Sequence, residues 1–143
     1  MANFTVTAAQ VDPLDDAVFV DCEAGAAIAV GEVAYQDASD SYKAKLADAN
    51  ASATAAAAKG IAVSGASAAG QRVTLQTGGG LTLGADATSS GLAETVLVCL
   101  SATPGKLAPY ADLASGSWLT VLGVGRGSGA IDVRVWATGR QKA

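Results

Sequence analysis

The chain contains no histidine. That removes an imidazole general base, a serine–histidine nucleophile pair and every histidine metal ligand. Cysteine is scarce as well. Cys22 and Cys99 are the only two, and their separation is far from the clustered spacing of a zinc site. Each lies in an apolar run, so buried, reduced thiols are expected. A disulfide would require the two runs to pack side by side as strands. Basic residues are few, 9 against 13 acidic ones, for a net charge of −4. A nucleic-acid partner needs a basic footprint, so none is expected. No apolar run reaches the roughly 18 residues of a membrane span. The start, Met1-Ala2-Asn3-Phe4-Thr5, lacks the basic and apolar regions of an export signal, which points to a protein made and assembled in a cytoplasm.

Aromatic residues make up only 5% of the chain although half of it is hydrophobic. Much of the apolar content is therefore alanine, which buries little area per residue. At about 25 cal/mol per Å² such a core stabilises less than its residue count suggests, and burial against a partner would supplement it. A chain of 143 residues reads as one domain, residues 1–143, with 1–10 and 139–143 as arm-like termini.

Short alternating runs separated by glycine-rich turns dominate the chain. Residues 3–8 alternate, with Phe4 and Val6 on one face. Pro13 and its neighbouring aspartates make a turn. Residues 17–22 are apolar on both sides and predict a central strand, and 27–30 a further short one. Residues 32–46 read as a hairpin with Val33, Tyr35, Tyr42, Ala44 and Leu46 inward and Lys43 and Lys45 outward, where they protect an edge. Residues 48–59, rich in alanine, predict the single short helix. Residues 60–63 form a buried strand. Residues 71–77 and 81–83 alternate around Gly78-Gly79-Gly80, which predicts a hairpin turned at the glycines. Residues 86–91 read as a loop and 94–100 as a second doubly apolar strand. Thr103-Pro104-Gly105-Lys106 has type II turn chemistry, and Pro109 marks 107–113 as an edge or irregular segment. Residues 117–124 are a strand, with Trp118 assigned to the core. After a turn at 125–129 the last strand sends Ile131, Val133 and Val135 inward. The expected fold is all-β, a compact sandwich or barrel of short strands with one short alanine-rich helix.

Candidate chemistry is thin. Gly123-Val124-Gly125-Arg126-Gly127-Ser128-Gly129 has neither the dinucleotide spacing nor the ending of a phosphate loop, and strands flank it, so it is a turn. Asp37 and Asp40 lack the remaining ligands of a calcium loop. Asp12, Asp15 and Asp16 surround a proline as turn residues do. No catalytic, metal or cofactor residue is assigned, and an enzyme is not expected. The side chains that stand out are Asp132, Arg134 and Trp136, outward on the last strand, where tryptophan and arginine suit an interface anchor.

Several further stretches carry a likeness: Gly31-Glu32-Val33-Ala34-Tyr35, Lys45-Leu46-Ala47-Asp48-Ala49, Lys59-Gly60-Ile61-Ala62 and Ala69-Gly70-Gln71-Arg72-Val73-Thr74-Leu75-Gln76-Thr77-Gly78-Gly79. Val98-Cys99-Leu100-Ser101-Ala102-Thr103-Pro104-Gly105 and Leu119-Thr120-Val121-Leu122-Gly123-Val124 continue it. In order and spacing these stretches, over about residues 24–138, resemble the head-decoration (capsid cement) proteins of tailed bacteriophages. The resemblance implies a non-enzymatic virion protein that binds the outer surface of a capsid and stabilises the shell. Its expected partners are the major capsid protein and itself, as a homotrimer or else a dimer. A carbohydrate-binding or adhesin-like module is the alternative reading; such modules display an aromatic platform, for which few residues are available here.

Overall fold

A computed structural model describes residues 3–143 of the chain; the expectation for Met1 and Ala2 lies outside them. The fold is all-β, as the alternation predicts: a curled antiparallel sheet of ten strands with two short helices. The strands are β1 (Asp12–Pro13), β2 (Val18–Glu23), β3 (Val33–Asp37), β4 (Lys43–Leu46), β5 (Gly60–Ala62), β6 (Arg72–Thr82), β7 (Leu97–Leu100), β8 (Leu107–Pro109), β9 (Trp118–Gly127) and β10 (Ala130–Gln141). The helices are α1 (Ala53–Ala56) and α2 (Ala85–Ser89). The order across the sheet is β4-β3-β5-β6-β10-β9-β7-β8, with β1 and β2 also on β6.

The long strand β6 organises this arrangement, and it corrects the expected hairpin. Gly78, Gly79 and Gly80 do not reverse the chain; they pair with Arg134, Val133 and Asp132 of β10 inside one continuous strand. At Gly79 the requirement for glycine comes from another backbone that passes close by. Gly79 has φ +82, and a Cβ on it would lie 2.1 Å from the carbonyl oxygen of Asp16. Gln76 is fully buried beside this irregularity, and its Nε2 donates to the carbonyls of Gly78, Gly79 and Gly80 at 3.0, 3.2 and 2.8 Å. The registers show that the strand is divided here. Its first half carries β2 on one side, from Glu23↔Arg72 to Val18↔Gly78, and β5 on the other. Its second half carries β1 on one side and β10 on the other, and at Gly78 β2 and β10 meet the strand from opposite sides, as Val18↔Gly78 and Arg134↔Gly78.

The largest core cluster lies inside the curl and includes Leu81, Leu83, Val98, Leu100, Leu122, Ile131 and Val133, with Trp118 and Val135 packed against it half-buried. A second cluster, built on Cys22, Ile28, Val73, Leu75 and several alanines, fills the space under β2 to β5. A third, Cys99, Ala108 and Leu113, lies apart from these, covered by Leu119 and Val121. Backbone bonds bring the two ends of the sheet together. Val33 N–H donates to Gly105 O at 2.9 Å, Gly105 N–H to Ala47 O at 2.8 Å and Trp118 N–H to Ala49 O at 2.8 Å. The Pro104–Gly105 turn that enables this is as expected, with Gly105 at φ +75.

Local expectations gave way wherever a distant segment intervened. Residues 3–8 are not a strand; Phe4 is buried and its N–H donates to Leu107 O at 2.9 Å, so the segment is packed in place. Residues 27–30 reduce to a single bridge, Ile28↔Ala66. The alanine-rich helix shrinks to α1, capped by the Ser52 hydroxyl, which accepts from Ala55 N–H at 3.1 Å; a short run cannot sustain more on propensity alone. Residues 86–91, expected as a loop, start in α2. The turn expected at 125–129 begins only after Gly127. The expected strand at 94–100 begins only at Leu97. Tyr42, expected inward, is exposed with φ +59. The C-terminal arm is tied down: Gln141 pairs with Trp118, and Lys142 Nζ donates to the carbonyls of Tyr110 and Leu113 at 3.0 and 2.7 Å while lying over the Tyr110 ring.

Candidate interaction surface

β10 owes its outward face to alternation. Ile131 and Val133 point into the main core, which leaves Asp132 and Arg134 in solvent. The register against β9 shifts between Val133 and Trp136, so the strand bulges there and Trp136 comes to lie opposite Val121. The indole is 66% exposed, the most exposed of the large hydrophobic side chains. All three residues singled out from the sequence are thus exposed on one strand. Asp132 is held by Arg126, whose Nη1 lies 3.8 Å from Asp132 Oδ1 at the surface.

The sheet adds neighbours that the sequence did not point to. The row Leu97↔Val124↔Asp132↔Gly80 crosses four strands, and Leu97 and Val124 are exposed on it. A parallel row, Arg134↔Gly78↔Val18, brings in Val18 from β2. The expectation that residues 17–22 form a covered central strand is therefore corrected: β2 pairs along its length with β6 alone, and Val18 and Phe19 are largely exposed. The signal was present in parity. Phe19 shares its face with Asp21 and Glu23, whereas Val20 and Cys22 share the inner one.

Several charged groups elsewhere are held by neighbours in the fold. Asp16 Oδ1 accepts the Gly80 N–H at 2.8 Å, which holds the carboxyl below its usual range, so this aspartate braces the glycine run. Asp37 is lowered to about 2 by its bond to Lys45 Nζ at 2.8 Å and by Ser39. Lys43 and Lys45 form a small network with Asp37, Asp40 and Glu23 around the β3–β4 hairpin. A hollow of about 350 Å³ lies between the N-terminal segment and Gly31–Glu32. Its two charges pair with each other, Lys106 Nζ to Glu32 Oε2 at 3.5 Å, and Glu32 Oε1 accepts the Ala29 N–H. Cys22 and Cys99 are buried, unpaired and in different clusters. Burial raises both thiols, Cys99 to about 11, so neither is a thiolate at neutral pH. Among the described residues no group of three or more acidic or cysteine side chains is placed to hold a metal, and no helix is long and apolar enough to cross a membrane.

In comparison with known proteins, the chain matches no family model and no curated protein.

Proposed function

We propose that this chain is a structural virion protein that binds the outer surface of a phage capsid, stabilises the shell and catalyses no reaction. It is assembled in the host cytoplasm, with the major capsid protein and further copies of itself as partners, as a homotrimer or else a dimer. The observation that carries the reading is the exposed face of β10. Asp132, Arg134 and Trp136 project from one strand beside Val124 and Leu97, a tryptophan–arginine surface of the kind that anchors interfaces. The resemblance of residues 24–138 to head-decoration proteins supports the choice of partner. A symmetric oligomer would match several shell subunits at once, so individually weak contacts add through multivalency.

The test is binding of the purified protein to empty shells, with oligomer mass measured by light scattering. Trp136→Ala is expected to cost on the order of 2 kcal/mol of association while leaving the fold intact, because the side chain supports no core cluster. A wild-type protein that neither associates nor binds shells would refute the proposal.

A further inference from the structure

We infer that Lys142 is a latch on a closed part of the β10 surface: it pins residues 111–116 over an apolar shelf that continues from Trp136, and its release uncovers that shelf. The inference concerns how far the surface extends and holds whichever partner the surface takes. The sheet register defines the shelf. One row crosses four strands, Ala108↔Cys99↔Val121↔Trp136, and residues opposite one another across a ladder share a face. At one end of the row Trp136 is exposed, and at the other Cys99 and Ala108 are fully buried. The same face thus passes from open to covered. Its cover is Leu113, which packs with Cys99 and Ala108 while Leu119 and Val121 border the cluster. Leu113 follows the short turn Tyr110–Asp112, in which no residue is buried, so one side chain anchors the cap.

The cap is held from one side. Among the described residues, every hydrogen bond from 111–116 to a distant part of the chain goes to Gln141 or Lys142. Lys142 Nζ donates to Leu113 O at 2.7 Å and to Tyr110 O at 3.0 Å, and lies 4.5 Å from the centre of the Tyr110 ring. Gly116 N–H donates to Lys142 O at 2.8 Å, and Gln141 Nε2 donates to Gly116 O at 2.9 Å. The two ammonium bonds are charge-assisted, the stronger kind. A segment with one apolar anchor belongs to the low end of the local stability range. Loss of the ammonium therefore shifts the cap toward an open state while the main cluster, which shares no residue with it, stays packed. Opening adds Cys99, Leu119 and Val121 to the apolar face beside Trp136.

The alkylation rate of Cys99 in the folded full chain tests this, with Cys22, in a different cluster, as the internal control. Wild type is compared with Lys142→Met, which keeps the stem and removes the ammonium, and with Lys142→Arg, which keeps charge and donors. Circular dichroism checks that each is folded. Lys142→Met should raise the Cys99 rate about tenfold or more and leave Cys22 unchanged, and binding of a neutral apolar dye should rise with it. Lys142→Arg should stay close to wild type. The sign separates uncovering from electrostatics. Burial holds the Cys99 thiol at about 11, and the Lys142 charge acts against that rise. Deleting the charge alone would leave less thiolate and slow the reaction, so a faster one reports exposure. An unchanged or slower Cys99 in Lys142→Met overturns the inference. So do a Lys142→Arg rate equal to that of Lys142→Met, an equal acceleration of Cys22, and a faster Cys99 with no gain in dye binding.

Discussion

Replacing Gly79 with alanine separates two architectures that look alike in sequence. If the glycine run were a solvent-exposed hairpin turn, alanine would meet only the backbone preference against φ > 0, about 1–2 kcal/mol. In the structure Gly79 lies inside β6 at φ +82, and the new Cβ would sit 2.1 Å from Asp16 O, 2.6 Å from Asp16 C and 2.8 Å from Ala17 Cα. All three are backbone atoms that no rotamer change moves. The segment ahead of β2 must retreat, which strains the Asp16–Gly80 bond and the β2–β6 register. Overpacking of this sort adds about 1–3 kcal/mol, for a total of roughly 2–5 kcal/mol. Gly70 is the internal control. Its φ is +92, and a Cβ there meets nothing within 4 Å, so Gly70→Ala should cost only the backbone preference. At roughly 4 °C per kcal/mol for a chain of this size, Gly79→Ala should lower Tm by about 8–20 °C and Gly70→Ala by about 4–8 °C. Urea unfolding followed by tryptophan fluorescence gives the same comparison isothermally. Equal losses for the two variants would refute a close backbone approach at Gly79 and restore the turn.

Leu122 is fully buried in the main cluster while Val124, two residues along β9, is exposed; Leu122→Ala should cost about 2–5 kcal/mol and Val124→Ala about 0.5 kcal/mol or less by denaturant midpoint. Asp37 has its pKa lowered to about 2 in the folded chain by Lys45 and Ser39. Its contribution to stability is therefore complete above the unfolded carboxylate value near 4 and is lost as pH falls from there through about 2. Asp37→Asn should flatten the acid limb of a Tm–pH profile in that window, and an unchanged limb would remove Lys45 as the cause. Cys22 and Cys99 should resist alkylation at pH 7.5 in the folded protein and react fully once it is unfolded, read by mass spectrometry; Cys99, buried with its thiol raised to about 11, should be the slower.

The amino-acid pattern by itself determined that this chain is β-rich, because period-two alternation and turn chemistry are local. Val33 and Ala44, Val73 and Leu75, and Ile131 and Val133 lie inward as alternation requires. The Thr103–Lys106 turn follows from proline and glycine at its two central positions. The outward direction of Asp132 and Arg134 was legible for the same reason, because their neighbours are strongly apolar. What alternation does not encode is which strand lies beside which. Three consecutive glycines permit a reversal and permit equally the close passage of a distant backbone; the approach of Asp16 and Ala17, some sixty residues earlier, decided between them. The exposure of Val18 and Phe19 was hidden by their own apolarity, since a strand apolar on both faces is usually covered on both, and here only the face carrying Val20 and Cys22 meets a core. The N-terminal segment and the tail carry few local signals, and their order comes from bonds to Leu107, Ser117, Tyr110 and Leu113. Local sterics set the strands and turns, whereas long-range pairing along β6 chose their partners and so placed Phe19 and Trp136 at the surface.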